Sequence, residues 1–321
     1  MLTSLFRPFC LGLLLTAGVA FSAETRTIAV IPKGTTHDFW KSVLAGARKA
    51  EAENPGFKIV WQGPLREDDR QSQIQLVESH VAKGTDAIVL APLDSRSLRN
   101  PVRGANTRKI PVVIIDSDLD RNGVELVSFV ATDNHKGGEL AAQRMVELLH
   151  GKGNVIVLRY NVGSASTEAR EQGFLDEIAK HPEIKVLSDN QYAGATQEDA
   201  LKKAGSLLNG LKAQQIDGVF CPNESSTLGM LRALIERGLA GKVKFVGFDA
   251  SAKLLEGLRA GQIQGLVVQN PYKMGYEGVK AAIAALNAQP VANRIDTGAK
   301  VITQENLDTP EIKALINPAG K

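Results

Sequence analysis

Asp86-Ala-Ile-Val-Leu-Ala-Pro92 is an unbroken apolar stretch set between polar or turn residues, and Asp217-Gly-Val-Phe-Cys-Pro-Asn223 repeats its plan 131 positions later. Runs of Val, Ile and Leu without alternation are what parallel strands look like when helices cover both faces of the sheet. Two more pairs share nearly the same offset. Ile110-Pro-Val-Val-Ile-Ile-Asp116 corresponds to Phe245-Val-Gly-Phe-Asp249, their aspartates 133 apart, and the strand opening at Ile28 corresponds to the one opening at Val155, 127 apart. Three pairs at almost one spacing predict a duplicated lobe.

Five such strands run into a polar residue, at Lys33, Asp116, Asn223, Asp249 and Gln269. Between the strands the apolar spacing predicts amphipathic helices over 38–53, 70–83, 95–108, 135–150, 166–180, 197–211, 225–237, 251–260 and 272–287. Strands alternating with helices imply right-handed βαβ units. The expected fold class is therefore α/β, with two similar doubly wound parallel-sheet lobes joined by a multi-segment hinge. Crossings are expected near Ala131-Thr132, Gln269-Asn270 and Thr297-Gly298. They divide the chain into an N-terminal lobe of 23–131 plus 270–297 and a C-terminal lobe of 132–269 plus 298–321. In open α/β sheets ligands bind at the carboxyl ends of the strands, so the polar endings predict a hydrogen-bonding pocket for a small molecule.

Residues 1–22 read as a cleavable export signal. Arg7 supplies the positive start, Cys10 to Val19 the apolar stretch, and Ala20-Phe-Ser22 the small residues before a cut at Ala23. The stretch is short of the ~20 apolar residues that span a bilayer, so no stable membrane insertion is expected and the localisation is the periplasm. Cleavage leaves Cys221 as the sole cysteine, in an apolar strand where a buried inert thiol is expected. Lys and Arg total 38 against 35 Asp and Glu, a net charge of +3 scattered along the chain, which argues against a nucleic-acid partner. The chain carries no Gly-x-Ser-x-Gly elbow, no His-Glu-x-x-His and no phosphate loop, and no catalytic residues, cofactor or metal site are expected.

Several motifs then share one order and spacing: Phe39-Trp40, Ile110-Pro-Val-Val113 leading to Asp116, Ala131-Thr-Asp-Asn134 with Gly137-Gly138, Gly163-Ser-Ala165 leading through Arg170 to Gly173-Phe174, Asn223-Glu224, Val246-Gly-Phe-Asp249, and Gln269. In these the chain resembles the periplasmic sugar-binding proteins of bacterial ABC transporters, of the ribose-binding type, whose fold is shared with the effector domains of lac-repressor-like regulators. The resemblance implies a solute receptor, a monomer, that closes two lobes on a monosaccharide or related polyol and delivers it to the permease subunits of an ABC transporter. It implies that Asp116 and Asp249 accept hydrogen bonds from sugar hydroxyls, that Arg170 donates to ring or hydroxyl oxygens, and that Asn223 and Gln269 do both. Phe39 and Trp40 would pack on the C–H face of the sugar, and His37 falls where the ribose type has an asparagine.

Plainer readings stand beside these. Asp116, Asp249 and Asn223 could cap the helices that follow; Trp40 could be core, on a stripe with Val43, Leu44 and Ala47; Arg170 could lie on a solvated helix face; Gln269 could be a hinge residue; His37 could be an exposed loop histidine. The chain also departs from the ribose pattern, with Ala91 in place of an asparagine and Ser117 in place of an arginine. With Lys33, Arg159, Tyr160 and Asn161 nearby, an anionic sugar derivative is an alternative ligand, and a sensing subunit for a chemoreceptor or sensor kinase an alternative role. The alternating Asp/Asn pattern of a calcium loop is not visible.

Overall fold

The computed structural model describes residues 25–211 and 215–317. The expected export signal at 1–22 lies outside the described residues. Two six-stranded sheets form the framework. The first comprises β1 (Arg26–Ile31), β2 (Phe57–Trp61), β3 (Ala87–Leu90), β4 (Val112–Ile115), β5 (Ser128–Ala131) and a late arrival, β11 (Arg294–Asp296). The second comprises β6 (Gly153–Arg159), β7 (Ile184–Tyr192), β8 (Gly218–Phe220), β9 (Lys244–Phe248), β10 (Gly265–Gln269) and β12 (Ala299–Ile302). Their spatial orders are β11-β5-β4-β3-β1-β2 and β12-β10-β9-β8-β6-β7. Each position in one list has its counterpart in the other, and the three strand pairs legible in the sequence are β3 with β8, β4 with β9 and β1 with β6. All neighbours are parallel except β10 and β12, which are antiparallel.

Alternate residues of each central strand feed different cores. Ile28 and Val30 pack on one face of the first sheet and Ala29 and Ile31 on the other; in the second sheet Ile156 and Leu158 are divided from Val155 and Val157 in the same way. All of these are fully buried. A buried Val, Ile or Leu contributes ~1.5–3 kcal/mol, which accounts for the absence of alternation in the sequence.

The first sheet is covered by α1 (Asp38–Ala52), α2 (Arg70–Lys83), α3 (Arg99–Thr107) and α9 (Pro271–Leu286); the second by α4 (Asn134–Leu149), α5 (Ala165–Ile178), α6 (Gln197–Gly210), α7 (Glu224–Glu236) and α8 (Ala252–Arg259), with α10 (Pro310–Ile316) packed at the end of the chain. One helix pair in each layer is drawn unusually close by glycines. A Cβ on Gly46 of α1 would overlap the Tyr272 carbonyl of α9, and one on Gly138 of α4 would overlap the Arg170 carbonyl of α5. The second contact fixes the segment of α5 that carries Arg170.

The chain passes between the sheets after β5, after β10, and between β11 and β12. Asp133 caps α4 by accepting the Lys136 N–H, and Asn270 caps α9 by accepting that of Lys273, so both long crossings turn directly into helices.

One predicted helix start is corrected. The helix expected from Ser95 begins at Arg99. Pro101 cannot bond back to residue 97 and its ring would clash there, while the Asp94 carboxylate takes the N–H groups of Arg96 and Ser97 into a turn of its own.

Candidate functional site

The carboxyl ends of the two sheets face each other across a narrow cleft. From the first sheet's side come Lys33 and His37 after β1, Phe39 and Trp40 on the first turn of α1, Glu67 after β2 and Asp116 after β4; from the second come Ser166, Thr167 and Arg170 on α5, Asn223 and Glu224 at the start of α7, Asp249 after β9 and Gln269 ending β10. All eight side chains singled out in the sequence, His37, Phe39, Trp40, Asp116, Arg170, Asn223, Asp249 and Gln269, border this one space.

Arg170 is at its centre, 2 % exposed. Its Nε donates to Asn134 Oδ1 at 2.8 Å, Nη1 to the Pro222 carbonyl at 3.0 Å and Nη2 to Gln269 Oε1 at 2.8 Å, and the guanidinium lies 4.1 Å over the Phe248 ring. The solvated-face reading is therefore excluded. Gln269 hands the chain on, donating from Nε2 to Asp249 Oδ1 at 2.8 Å, and Asp249 Oδ2 accepts the Glu224 N–H at 3.0 Å. Burial pushes the Asp249 carboxyl up, against the opposing pull of Arg170 and the Gln269 hydrogen bond, and the same burial pushes the Arg170 guanidinium down. A fixed dipole chain of this kind strengthens in a dry site.

On the opposite wall, Lys33 Nζ is 2.8 Å from Asp116 Oδ2 and donates to Ser166 Oγ at 2.9 Å and Ser164 Oγ at 3.3 Å. The lysine approaches Asp116 Oδ2 outside hydrogen-bond geometry, so that oxygen balances a charge while accepting no hydrogen bond among the described residues. The backbone of Asp116 is held by Asn134, whose Nδ2 donates to its carbonyl at 3.1 Å. Asn134 thus ties Asp116 to Arg170.

Glu67 anchors the aromatic wall. Its Oε1 accepts Trp40 Nε1–H at 2.7 Å and pairs with His37 Nδ1 at 2.7 Å, while Oε2 accepts the Tyr160 hydroxyl at 2.9 Å. Burial opposes charge on both partners of the pair, yet their mutual attraction wins: Glu67 is held at about 2, with Lys33 and Trp40 helping, and His37 is raised to about 9, with Glu224 and Asp249 helping. Trp40 is accordingly both core and wall. It is 2 % exposed, belongs to the first layer's core, and meets Phe39 edge-on with centroids 4.9 Å apart.

Glu224 reaches across from α7 to the start of α1, accepting the N–H groups of Asp38 at 3.2 Å and Phe39 at 3.1 Å. Those are orphan donors at the positive end of a helix, a ready place for a carboxylate. Burial raises the Glu224 carboxyl to about 7, partly offset by His37 and reinforced by Asp249.

Asn223 carries a cap as well as a wall position. Its Oδ1 accepts from Ser226 N–H at 3.3 Å and Ser226 Oγ at 2.6 Å, in a reciprocal capping box. One of the two departures from the ribose pattern also has a structural account. Ser117 Oγ accepts the Ser166 N–H at 3.0 Å, so the short hydroxyl receives the first turn of α5 where an arginine would stand. The Ala91 carbonyl accepts Gln73 Nε2 at 2.8 Å, a backbone bond open to any residue there, and nothing in the structure explains the alanine itself.

Glu67, Ser166, Thr167 and the wall position of Glu224 were not legible as a site. Arg66-Glu-Asp-Asp69 has the composition of a solvated loop, and only its fold over His37 and Trp40 buries the glutamate. Lys33 was legible as a strand ending but without a role.

A family model described as a periplasmic binding protein domain matches residues 28–290. The D-allose-binding periplasmic protein of Escherichia coli is 31 % identical over 286 residues, covering 87 % of this chain and 90 % of its own length. A xylitol-binding protein of Mycolicibacterium smegmatis is 29 % identical over 291 residues, 90 % of this chain and 80 % of that one. Among solved structures, a carbohydrate transporter solute-binding protein from Agrobacterium radiobacter in complex with D-arabinose is similar at a TM-score of 0.86 with 38 % identity, covering 92 % of this chain and all of that one (100 %). With the match taking in every strand but the last of each sheet and all the residues that line the cleft, the chain belongs to the periplasmic binding protein family.

Proposed function

We propose that this protein is a periplasmic receptor that binds one neutral monosaccharide or polyol between its lobes and delivers it to the permease subunits of an ABC transporter. The observation that carries the reading is the pair Asp116 and Asp249, one from each sheet, buried in one cavity with Arg170 and Gln269 between them and Phe39 and Trp40 at the side. Carboxylates and amides that accept and donate beside an aromatic wall suit a ring with hydroxyls on its edge and C–H groups on its face. Similarity to proteins named for D-allose and xylitol, and to a structure holding D-arabinose, supports this ligand class.

The charges favour a neutral ligand over the anionic alternative. Lys33, His37 and Arg170 are already faced by Glu67, Asp116, Glu224 and Asp249. An added anion would meet carboxylates on every wall.

The lobes are residues 23–131 with 270–297 and 132–269 with 298–321, and the three crossings between them are the hinge. A ligand that touches both lobes stabilises the closed form; shifting it from 1:99 to 99:1 takes ~5.5 kcal/mol of differential binding, within the ~8 kcal/mol of a micromolar complex. The receptor acts as a monomer, exported by a signal over 1–22, and turns nothing over.

The test is a thermal-shift screen of the mature chain against pentoses, hexoses, polyols and sugar acids, followed by calorimetric titration. The expected result is saturable one-to-one binding of a neutral member, recovered chemically unchanged. Failure of every sugar and polyol to shift the melting curve overturns the reading.

A further inference from the structure

Helix α1 carries the aromatic wall, and it starts without a cap of its own. Its N-cap residue, His37, makes no side-chain bond to the first turn; the ring pairs instead with Glu67 at 2.7 Å. The first N–H groups of a helix have no acceptor within it and must find one elsewhere. That of Trp40 bonds to the His37 carbonyl at 3.2 Å. Those of Asp38 and Phe39 go to a single carboxylate, Glu224, at 3.2 Å on Oε1 and 3.1 Å on Oε2. Glu224 opens α7, which follows β8 of the second sheet, whereas α1 follows β1 of the first. The helix is therefore capped from across the cleft.

Glu224 is tied at both ends. It is 6 % exposed, and its own N–H donates to Asp249 Oδ2 at 3.0 Å, extending the chain that runs from Arg170 through Gln269 to Asp249. One residue thus joins the polar wall of the second sheet to the aromatic wall of the first. Phe39 depends on it most. Trp40 is buried in a core and donates to Glu67, but Phe39 is only half-buried, so its ring is set by the backbone that carries it and by its edge contact with Trp40.

We infer that Glu224 is a positioning residue of the receptor: on closure it caps α1 from the opposite lobe and so fixes Phe39 against the sugar, without bonding to the sugar itself. This deepens the proposed receptor reading and rests on it. A carboxylate at the start of a helix satisfies its free donors and is favoured by the helix dipole. Both effects are present here only while the two sides of the cleft are together. Closing the cleft and ordering the aromatic wall are then one event.

The experiment follows amide hydrogen exchange of Asp38 and Phe39 by NMR, with and without the sugar that binds most tightly in the screen, in wild type, Glu224→Gln and Glu224→Ala. It is run at about pH 8, above the value of about 7 to which burial raises this carboxyl, so that both oxygens accept. In wild type the sugar is expected to slow exchange of both amides by about tenfold or more, as a shift toward the closed form requires. Glu224→Ala loses that protection and binds each of two different sugars more weakly by one common factor, roughly fivefold or more, the size of a lost cap. Glu224→Gln keeps one oxygen acceptor and falls between. The common factor separates positioning from contact, because a residue bonded to a hydroxyl discriminates between sugars that differ there. Amides protected as well in the free protein as with sugar overturn the inference, since the cap then does not depend on closure. So does a loss confined to one of the two sugars, or wild-type affinity in Glu224→Ala. In each of these cases sugar still binds and the receptor reading stands. The wild-type comparison needs no variant, and decides even where a substitution unfolds the chain. If no sugar binds wild type, both readings fall together.

Discussion

Asp116 and Asp249 end corresponding strands, β4 and β9, in one backbone conformation: φ is 61° and 71°, in the left-handed region, and each donates its N–H to the strand beside it, Asp116 to the Val130 carbonyl and Asp249 to that of Val267. A non-glycine residue held there costs ~1–3 kcal/mol and persists where its surroundings over-determine it. Both lobes keep the strained turn, and in both it delivers a carboxylate to the cavity. Asn tolerates this conformation, so Asp116→Asn and Asp249→Asn retain the turn while removing the charge and exchanging one acceptor oxygen for an amide donor. Each is expected to fold, with a circular dichroism spectrum like wild type, and to bind sugar tenfold or more weakly by calorimetry, since a charged hydrogen bond contributes ~1.5–3 kcal/mol. Unchanged affinity in both variants would remove the aspartates from the site.

Tyr160 follows β6 of the second sheet and Glu67 follows β2 of the first, so their 2.9 Å hydrogen bond joins the two sides of the cleft, and in the proposed receptor it would form on closure. Tyr160→Phe keeps the packing and loses the bond. The expected outcome is about tenfold weaker sugar binding, ~1.4 kcal/mol, read mainly in faster dissociation by stopped flow, with the melting temperature of the free protein little changed.

The buried acids and the histidine give closure a pH dependence of definite sign. His37, raised from 6.5 to about 9, contributes stability that is full below pH 6.5 and lost as pH rises through 9. Glu224, raised from 4.5 to about 7, contributes stability that is full below pH 4.5 and lost as pH rises through 7, and Glu171, raised to about 7 by burial beside the Tyr160 N–H and Arg159, does the same. Glu67 works the other way, its contribution being lost as pH falls from 4.5 through 2. The melting temperature should therefore peak near pH 4.5–5 and fall toward pH 9. Glu224→Gln should flatten part of the fall between pH 4.5 and 7, an effect on the order of 3 kcal/mol at most. Melting curves across this range check both statements.

Gly138 and Gly104 are both helical, but only the first touches another helix. Gly138→Ala puts a methyl group into the Arg170 carbonyl, and is expected to cost ~1–3 kcal/mol or more and to weaken sugar binding by displacing α5. Gly104→Ala meets no atom within 4 Å on the exposed face of α3, and is expected to stabilise by ~0.5–1 kcal/mol with binding unchanged. Urea titrations of the two variants compare them directly.

The duplicated fold was legible because the central strands are buried on both faces, which forces continuous apolar runs at Ile28, Ile88, Val113, Val155, Val219 and Val246. The edge strand β7 was not, since Lys185, Val186, Leu187, Asn190 and Gln191 are exposed and follow no buried-strand pattern. In the site, the residues at strand ends could be read because the topology of an open sheet says where ends go. Glu67 could not, because a loop has no such rule: its burial depends on His37 and Trp40 at the start of α1 and on Tyr160 after β6, two other places in the chain. Asn223 shows the reverse case, where a cap signal and a wall position fall on one residue and sequence alone cannot separate them.

Because α9 and β11 complete the first layer but follow β6 to β10 of the second sheet in the chain, the first sheet cannot be completed in the order of synthesis. Arg26 at the start of β1 donates to the Leu286 carbonyl and to Asn287, 260 and 261 residues away. A nascent chain that has emerged only as far as Ala131 still lacks the helix that seals Gly46 and the strand that pairs with β5. Contacts at such separation form late. The first sheet is thus sealed only by segments that lie beyond Gln269 in the chain, and its half of the cleft is held together by some of the last of the sequence to be made.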